Sequence, residues 1–233
     1  MKIAIMQPYF CAYIGYYQLI KSVDKFIIFD NIQYVKRGWF NRNRVLHNEN
    51  ALLFTIPLKK DSSYKEVKHR YLADNSIIGI KKILVQLQNF YRKAPFYYQI
   101  YPFIENLFLQ NNKNLFNYIY YSVIELCAIL NINTQIIISS SLDIDHKLKA
   151  QDKILAICKY FKTDTYINPI GGKDIYDKEI FKREGVDLKF IKSKNIEYNQ
   201  FDNKFVPSLS IIDVLMFNEI EQVMCYLNEY KFE

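Results

Sequence analysis

The sequence predicts an α/β protein with a Rossmann-like, three-layer fold around a parallel or mixed sheet, and with a helical insertion. Two observations carry this prediction. An apolar segment, a short helical segment and a second apolar segment open the chain, which is the β-α-β arrangement of a parallel sheet. A long stretch of helical periodicity then follows, and strand–helix alternation resumes after it.

The opening elements follow from the spacing of apolar residues. Lys2–Met6 is short and mostly apolar, which indicates a strand, and Lys25–Asp30 indicates a second one. Between them, Tyr13–Val23 carries apolar residues at helical spacing. Ala51–Leu58 is predicted to be a third strand, and Pro57 favours its end there.

Helical periodicity fills residues 76–133. Pro95 and Pro102 are expected to break it, and Asn111–Asn114 to form a polar turn. Two or three helices are therefore predicted, packed as an insertion or cap within a single α/β domain that spans residues 1–233.

After the insertion, short apolar runs and amphipathic segments alternate again. Strands are predicted at Thr134–Ser139, Thr165–Ile167 and Leu188–Ile191, and helices at Lys149–Phe161, Ile175–Arg183 and Ser210–Tyr230, the last with a break near Asn218. Gly185 suits the left-handed position that ends many helices. We expect the two halves to share one sheet.

Charge and cysteine content limit the class of protein. The formal net charge of +7 favours nucleic acid, an acidic membrane surface or a phosphorylated small molecule as ligand. The alternative is a basic, solvated surface, which the even spread of the lysines favours. The four cysteines lie far apart without a C-x-x-C pair, so neither a zinc site nor a disulfide framework is predicted.

No targeting or membrane segment is predicted. The N-terminus lacks the apolar length of a signal peptide because Pro8 interrupts it, and no run approaches the roughly 18 apolar residues of a spanning helix. We therefore expect a cytoplasmic protein without membrane insertion, with homo-oligomerisation left open.

The segment Asp30–Arg44, D-N-I-Q-Y-V-K-R-G-W-F-N-R-N-R, combines one acid, four bases, three asparagines, a glutamine and the single Trp of the chain. It follows an apolar strand, and an open α/β sheet binds ligands at the carboxyl ends of its strands. We call it the signature segment. It is predicted to bind an anionic ligand rich in hydrogen-bonding groups; the alternative is a cationic surface loop with a half-buried Trp.

Each residue type in the signature segment suits one part of such a ligand. Arginine offers a planar fork to phosphate, as Arg44 can, and lysine a point charge. Asp30, at the strand end, is the predicted catalytic residue, placed to bind a ribose hydroxyl, accept a proton or orient an amine. The predicted substrate-binding residues are Asn31, Gln33, Lys36, Arg37, Trp39, Asn41, Arg42 and Asn43, with Trp39 stacking on a base or sugar.

Two further loops follow predicted strands. The predicted binding residues are Gln7, Tyr9, Gly15 and Tyr16 in the first loop and Gly171, Gly172, Lys173 and Asp174 in the later one. In each, backbone amides near a helix start can face an anion. The alternatives are a Pro-bounded turn with packed tyrosines for the first, which lacks G-x-G-x-x-G, G-K-[ST] and a His pair, and a turn capped by Asp174 for the later one.

The histidines support one prediction. No Ser-His-Asp or Cys-His grouping is indicated, and no histidine is predicted to bind a metal. His69 is the predicted general base; it lies in the basic stretch Lys59–Arg70, which we expect to be a solvated loop or to fold over a bound anion. His47 is expected in a hairpin turn and His146 in a polar loop.

Together these segments resemble the WbqC-like protein family of bacterial polysaccharide gene clusters. M-Q-P-Y-F…Y-I-G-Y-Y-Q-L-I resembles its opening and F-D-N-I-Q-Y-V-K-R-G-W-F-N-R-N-R its most specific signature. Y-I-N-P-I-G-G-K-D-I-Y and V-P-S-L-S-I-I-D-V-L-M-F-N, which contains Ser208 as a further predicted binding residue, resemble its later blocks. The resemblance extends from Met1 to about Asn218. Ala12 stands where the family commonly has Pro, and Asn168-Pro169 where a small residue and Gly are usual.

The resemblance implies a transferase of surface-glycan (O-antigen) biosynthesis. It would move glycine or another acyl group to the amine of a nucleotide-linked amino sugar, such as a dTDP-linked one. The basic loop would hold the diphosphate, and Asp30 would receive the amine proton. The implied partners are the sugar nucleotide and an acyl donor or its carrier protein, the donor being a CoA or carrier-protein thioester or an aminoacyl adenylate; no metal and no nucleic acid are expected.

Two alternatives stay open. One is a nucleotidyl- or adenylate-forming enzyme of related α/β fold, which dependence on ATP and Mg²⁺ would indicate. The other is a non-catalytic module that binds nucleic acid or a glycan, which RNA binding with a steep salt dependence would indicate.

Overall fold

The computed structural model describes residues 1–201 and 204–233 of the chain. The strands in them are β1 (Lys2–Met6), β2 (Lys25–Ile28), β3 (Arg42–His47), β4 (Asn50–Thr55), β5 (Gln135–Ile138), β6 (Thr165–Pro169), β7 (Asp187–Ser193) and β8 (Tyr230–Phe232). The helices are α1 (Ile14–Lys21), α2 (Ser76–Tyr91), α3 (Tyr97–Leu109), α4 (Leu115–Ile129), α5 (Ala150–Phe161), α6 (Lys178–Arg183), α7 (Ile211–Phe217) and α8 (Ile220–Tyr226). Short 3-10 turns cover Val67–His69, Ser139–Ser141 and Ile170–Gly172.

One six-stranded sheet runs through both halves of the chain, in the order β5-β2-β1-β6-β7-β8. Its first five strands are parallel, and β8 runs antiparallel to β7 at the edge. The order of strands reverses between β1 and β6, and such a reversal is the ligand-binding crevice of doubly wound sheets. The predicted α/β class and the shared, mixed sheet are confirmed.

Alternate residues of the central strands face two helical layers. Ile3 and Ile5 of β1 belong to a core shared with Ile154 of α5 and Phe181 of α6. Ala4, between them, belongs to the larger core that α1 and α7 complete. The alternation follows from the two-residue period of a strand, and burial on both faces is what a parallel sheet between helices requires.

The insertion lies between β2 and β5 and packs on the larger core. Its helical part is α2, α3 and α4, and β3 and β4 form a separate antiparallel hairpin. The strand predicted at Ala51–Leu58 is therefore β4, outside the main sheet. The sequence does not predict β3, because its polar R-N-R half belongs to the segment interpreted as a binding loop. Asn48 and Glu49 turn the hairpin with φ of 46° and 61°, as in the tightest hairpin turns.

Two predictions about helix ends hold and one is wrong. Gly185 has a φ of 75° after α6, and the last helical region breaks at Asn218, between α7 and α8. Pro102, however, lies inside α3. The carbonyl that would bond to its missing N–H belongs to the exposed residue Tyr98, so water can replace that bond. No helix in the described residues has the length and apolar content to cross a membrane.

The start of α6 also differs from the prediction. The helix begins at Lys178 rather than Ile175, because the Asp177 side chain caps it by accepting from the Glu179 N–H at 2.9 Å. Asp174 is therefore not the cap. At the other end of the chain, α8 ends at Tyr226, four residues before the predicted end of the final helix, and β8 begins at Tyr230 and pairs with β7.

Candidate functional site

Three loops that the sequence singles out leave the sheet at one edge. β2, β1 and β6 are adjacent and parallel, so the segments that follow them emerge on the same side. These segments are the first loop (residues 7–13), the signature segment and residues 170–177. Their common edge contains the reversal of strand order, where an open α/β sheet places ligands.

Hydrogen bonds fasten the first loop to the signature segment. The Phe10 N–H donates to the Phe40 carbonyl at 3.1 Å, and the Asn43 side-chain amide donates to the Cys11 carbonyl at 2.5 Å. The Tyr9 hydroxyl donates in turn to Asn43 Oδ1 at 3.1 Å. Asn43 is buried. Through these bonds its side chain holds the first loop against the signature segment.

Two residues in left-handed backbone conformations mark the same region. Cys11 has a φ of 44°, and its carbonyl accepts from Asn43 and, at 2.6 Å, from the Ser210 hydroxyl. Ser208 has a φ of 58°, and its carbonyl accepts from Arg44 at 3.2 Å. Such conformations are costly for non-glycine residues and are concentrated at ligand sites. The hydrogen bonds to the Cys11 and Ser208 carbonyls join the first loop, the signature segment and the residues before α7.

Two arginines lie close to Trp39. The guanidinium carbons of Arg42 and Arg44 are 5.2 and 5.3 Å from its ring, because alternate residues of β3 share a face. The Tyr9 ring lies 5.9 Å from the same indole, and Arg42 also donates to the Arg37 carbonyl. Both arginine Nε atoms are buried without a hydrogen-bond partner in the described residues. These four side chains, Tyr9, Trp39, Arg42 and Arg44, form what we call the Trp39 cluster.

The ion pairs of the described residues give the Trp39 cluster no counter-charge. Within residues 1–201 and 204–233, neither Arg42 nor Arg44 forms an ion pair. Guanidinium groups bind phosphate through paired N–H donors, and an aromatic face next to them suits a planar or ring-shaped group. The cluster therefore has the chemistry of a site for a phosphate attached to a base or sugar.

Asp30 is buried at the carboxyl end of β2, with 3% of its surface exposed. Both carboxylate oxygens accept from Ser140, Oδ1 from the N–H at 2.9 Å and Oδ2 from the hydroxyl at 2.5 Å. Ser140 follows β5, the neighbour of β2 in the sheet. A carboxylate offers about four acceptor positions, so Asp30 keeps about two beyond those that Ser140 fills.

Asn31 connects two residues that the sequence does not single out. Its Oδ1 accepts from Lys153 Nζ at 3.1 Å, so its amide nitrogen faces His146 Nδ1 at 2.9 Å. His146 Nε2 lies 3.0 Å from the Leu142 carbonyl, which assigns the proton to Nε2. Burial lowers the pKa of the Lys153 amine, which is 6% exposed.

Ser140, His146 and Lys153 are not among the site residues predicted from the sequence, although a local signal for Ser140 exists. The triplet Ser139–Ser141 directly follows an apolar run, as the signature segment does. The triplet lies next to Asp30 only because β5 pairs with β2 in the sheet. The local sequence does not predict that pairing. Lys153 and His146 have no comparable signal, because they come from a helix face and a polar loop.

The basic stretch Lys59–Arg70 is paired with the signature segment rather than free in solvent. The Lys68 N–H donates to the Asp30 carbonyl at 3.0 Å, and the Tyr34 N–H donates to the Lys65 carbonyl at 3.0 Å. The stretch therefore covers the start of the signature segment.

Two predicted site residues contact this stretch or lie on it. The Gln33 side chain donates to the Ser63 carbonyl at 2.9 Å. The His69 side chain is 60% exposed, with Nδ1 3.8 Å from the Glu66 carboxylate. Nothing in this geometry directs the His69 ring at Asp30, and its role as general base stays a prediction.

Several predicted residues of the first loop stabilise its shape. Tyr16 is 2% exposed, and its hydroxyl donates to the Gln7 carbonyl at 3.1 Å, so its ring belongs to the core. Gly15 makes room for a ring: an added Cβ would lie 2.3 Å from the Tyr13 side chain. The glycine is thus explained by packing without a phosphate.

Asn41 and Gly172 also have local explanations. Asn41 accepts from the Tyr34 hydroxyl at 2.9 Å and donates to the Ile56 carbonyl at 2.7 Å, which links the signature segment to β4's end. A Cβ on Gly172 would lie 2.9 Å from the Asn168 side chain, whereas one on neighbouring Gly171 would meet open space.

The charged residues of the later loop face outward. Lys173 pairs with Glu233 at 3.6 Å, beside β8, and both Lys173 and Asp174 are exposed. The structure thus brings the first loop and the signature segment into direct contact, while no contact joins Lys173 or Asp174 to the Trp39 cluster among the hydrogen bonds and ion pairs of the described residues.

Comparison with known proteins identifies the family of this chain. The model of the WbqC-like protein family matches residues 7–225, which include all three loops. The chain belongs to the WbqC-like protein family. It is similar to the uncharacterized protein Rv1507c of Mycobacterium tuberculosis (strain ATCC 25618 / H37Rv), with 26% identity over 230 residues and 97% of each chain covered. No solved structure matches it. The resemblance stated from the motifs is confirmed.

Proposed function

We propose that this WbqC-like protein is a transferase that acts on a nucleotide-activated amino sugar and acylates or aminoacylates the sugar amine. The observation that carries the proposal is the Trp39 cluster, in which two guanidinium groups without an ion pair in the described residues lie 5.2 and 5.3 Å from an indole ring. It belongs to the loops at the sheet edge where doubly wound folds bind nucleotides. A guanidinium pair suits a diphosphate, and the indole suits the attached base or sugar.

The proposed reaction needs one proton acceptor. The sugar amine attacks the acyl carbonyl, the new C–N bond forms, and the bond from the acyl carbon to the sulfur or oxygen of the donor breaks. The leaving group takes that electron pair, and the amine loses a proton. We assign this proton to Asp30, which has acceptor positions beyond those that Ser140 fills. Positioning of the two substrates would supply much of the rate enhancement.

Ligand binding tests the site. A dTDP-linked 4-amino sugar should raise the melting temperature of the wild-type protein, because a ligand of the native state stabilises it by mass action. Combined Arg42→Ala and Arg44→Ala substitution should weaken binding at least about tenfold, since hydrogen bonds to charged groups contribute about 1.5–3 kcal/mol each. The matched control is Arg92→Ala with Lys93→Ala, an exposed basic pair just beyond α2, which should bind as the wild type does.

Product analysis tests the reaction. Mass spectrometry should detect an amide of the sugar nucleotide after incubation with acetyl-CoA, glycyl-CoA or glycyl adenylate. Asp30→Asn should slow product formation by about 100-fold or more, the usual contribution of a general base, with the affinity for the sugar nucleotide kept. If no sugar nucleotide binds, the proposed function is wrong; if binding survives loss of both arginines, the assignment of the Trp39 cluster as the binding site is wrong.

A further inference from the structure

A cleft of about 510 Å³ opens beside the signature segment. Tyr34 and Asn41 of that segment form one wall, and the stretch 56–61 after β4 and the side chain of Arg70 form others. The volume lies within the range of about 300–1,000 Å³ that is typical of small-molecule sites. No member of the Trp39 cluster lines it, so the cleft is a separate site.

Arg70 gives this cleft its most informative feature. It is 6% exposed, and its guanidinium carbon lies 4.5 Å from the Tyr34 ring. Nη1 donates to the Ser62 carbonyl at 2.8 Å, whereas Nε is buried without a partner in the described residues. Asp61 lines the same cleft, but its two oxygens accept from the Ser62 N–H and Lys65 Nζ, both at 2.8 Å. A buried charge normally has a counter-charge, and Arg70 has no ion pair in the described residues.

The other walls divide into a cationic rim and an apolar floor. Lys36, Lys59 and Lys60 are exposed at the rim. Lys59 pairs with Asp74 at 2.7 Å, but both side chains are exposed, and such a pair contributes so little that the lysine can turn to a ligand. Pro57 and Leu58, both half-buried, supply the apolar surface between the charges, and the fully buried Ile56 lies beneath them.

We propose that this cleft binds an organic phosphate, with the phosphate against Arg70 and the lysines and the apolar part of the ligand over residues 56–58. Its role as the acyl-donor site rests on the proposed function: a transferase needs a second site, and CoA, a carrier-protein prosthetic group and an aminoacyl adenylate all carry phosphate. Lys36 then serves the donor, while Arg42 and Arg44 serve the sugar nucleotide. The signature segment contributes to both sites.

Calorimetric titration with CoA, AMP and inorganic phosphate at low ionic strength tests the cleft. CoA or AMP should bind more tightly than inorganic phosphate, which has no apolar part. CoA alone indicates a thioester donor, and AMP alone an adenylate. Lys59→Ala with Lys60→Ala should weaken binding at least about tenfold, because charge-assisted contacts are lost. Lys81→Ala with Lys82→Ala, an adjacent exposed pair on α2, should bind as the wild type does.

A second variant tests the buried Arg70, because Lys59 and Lys60 are exposed and could act by changing the surface charge alone. Arg70→Lys keeps the charge but loses the fork, its bond to the Ser62 carbonyl and its stacking on Tyr34, so it should weaken binding and also lower the melting temperature; the affinities are compared at a temperature where both proteins are folded. Failure of both CoA and AMP to bind, or equal affinity in the wild type and the Lys59/Lys60 variant, overturns the inference.

The two proposals fail in different ways. One outcome is that sugar nucleotides fail to bind while CoA or AMP binds in a Lys59- and Lys60-dependent manner. In that case the cleft is a phosphate site and the proposed function is wrong. If the sugar nucleotide binds through Arg42 and Arg44 while neither probe binds, the donor site falls alone. Titrating both ligand classes into the Arg42/Arg44 and Lys59/Lys60 variants therefore separates the outcomes.

Discussion

Two buried carboxylates, Asp213 and Asp30, differ in what surrounds them. Asp213 is fully buried on α7 and accepts from the Tyr91 hydroxyl at 2.7 Å, the Tyr198 hydroxyl at 2.6 Å and the Gln200 amide at 2.7 Å. Tyr91 ends α2 of the insertion, and the other two donors precede α7. Asp213 therefore links the insertion to the body of the protein.

The carboxylate of Asp30 accepts hydrogen bonds from one of the described residues, Ser140, and it lies at the carboxyl edge of the sheet. Its remaining acceptor positions have no partner among the hydrogen bonds of the described residues. The difference between the two carboxylates gives a criterion for distinguishing a structural role from a functional one in this protein. A carboxylate whose positions are filled by donors from distant elements stabilises the fold, whereas one with positions left at a loop-lined edge is the better candidate for the proposed contact with a substrate.

The largest expected effect is on stability, through Asp213. Asp213→Ala should lower the free energy of unfolding by about 3 kcal/mol or more, because two buried hydroxyls and an amide lose their acceptor. Asp30→Ala should cost about 1–2 kcal/mol, since the hydroxyl and N–H of one serine are affected. Urea unfolding of both variants measures the difference, and equal losses would contradict the comparison.

The next effect is a dependence of stability on pH. Burial raises the pKa of the Asp213 carboxyl above its ordinary value of 3.8, against the opposing hydrogen bonds from Tyr198, Tyr91 and Gln200. The native state therefore retains this proton at pH values where the unfolded chain has released it. The contribution of Asp213 is fully present below the unfolded pKa and is lost as the pH rises through the native one, by at most about 1.4 kcal/mol per pH unit.

Asp213→Asn provides the reference for that measurement, because it keeps the size of the side chain and removes the titration. The free energy of unfolding of the wild type, minus that of the variant, should fall as the pH rises from about 3. A flat difference over the acid range would show that Asp213 has its ordinary pKa in the native state, and a rising one that its native pKa is lowered; either would contradict the expected direction.

The same two residues show how far sequence reasoning reaches. The bounds of β1 agree with the prediction, and so do three helices in the insertion and the break at Asn218, because each has a local signal in periodicity or turn chemistry. The sequence also places Asp30 at a strand end. It does not predict that Tyr91 meets Asp213, 122 positions away, or that Ser140 meets Asp30, 110 positions away. Those contacts depend on strand order and on how the insertion packs.

In the signature segment, residue type alone does not show which side chains have structural partners, for a related physical reason. Asn41 and Asn43 have the chemistry of ligand-binding amides, but buried backbone carbonyls need donors, and these two side chains supply them at Ile56 and Cys11. Arg42 and Arg44 alternate with Asn43 along β3 and face the indole of Trp39 instead. Asn43 and the two arginines point to opposite faces because side chains alternate along β3. The sequence does not predict that strand.

The smallest expected effect comes from Ser140→Ala, which removes the hydroxyl that bonds to Asp30 and leaves the backbone N–H bond at 2.9 Å. The free energy of unfolding should fall by about 1 kcal/mol, measured in urea. The carboxylate stays charged with one more acceptor position open, so product formation should slow far less than in Asp30→Asn. Ser141→Ala is the matched control, because its hydroxyl bonds to the Ile138 carbonyl rather than to Asp30. If Ser141→Ala slows the reaction as much as Ser140→Ala does, the turn after β5 affects catalysis through its shape, and the bond to Asp30 is not what matters.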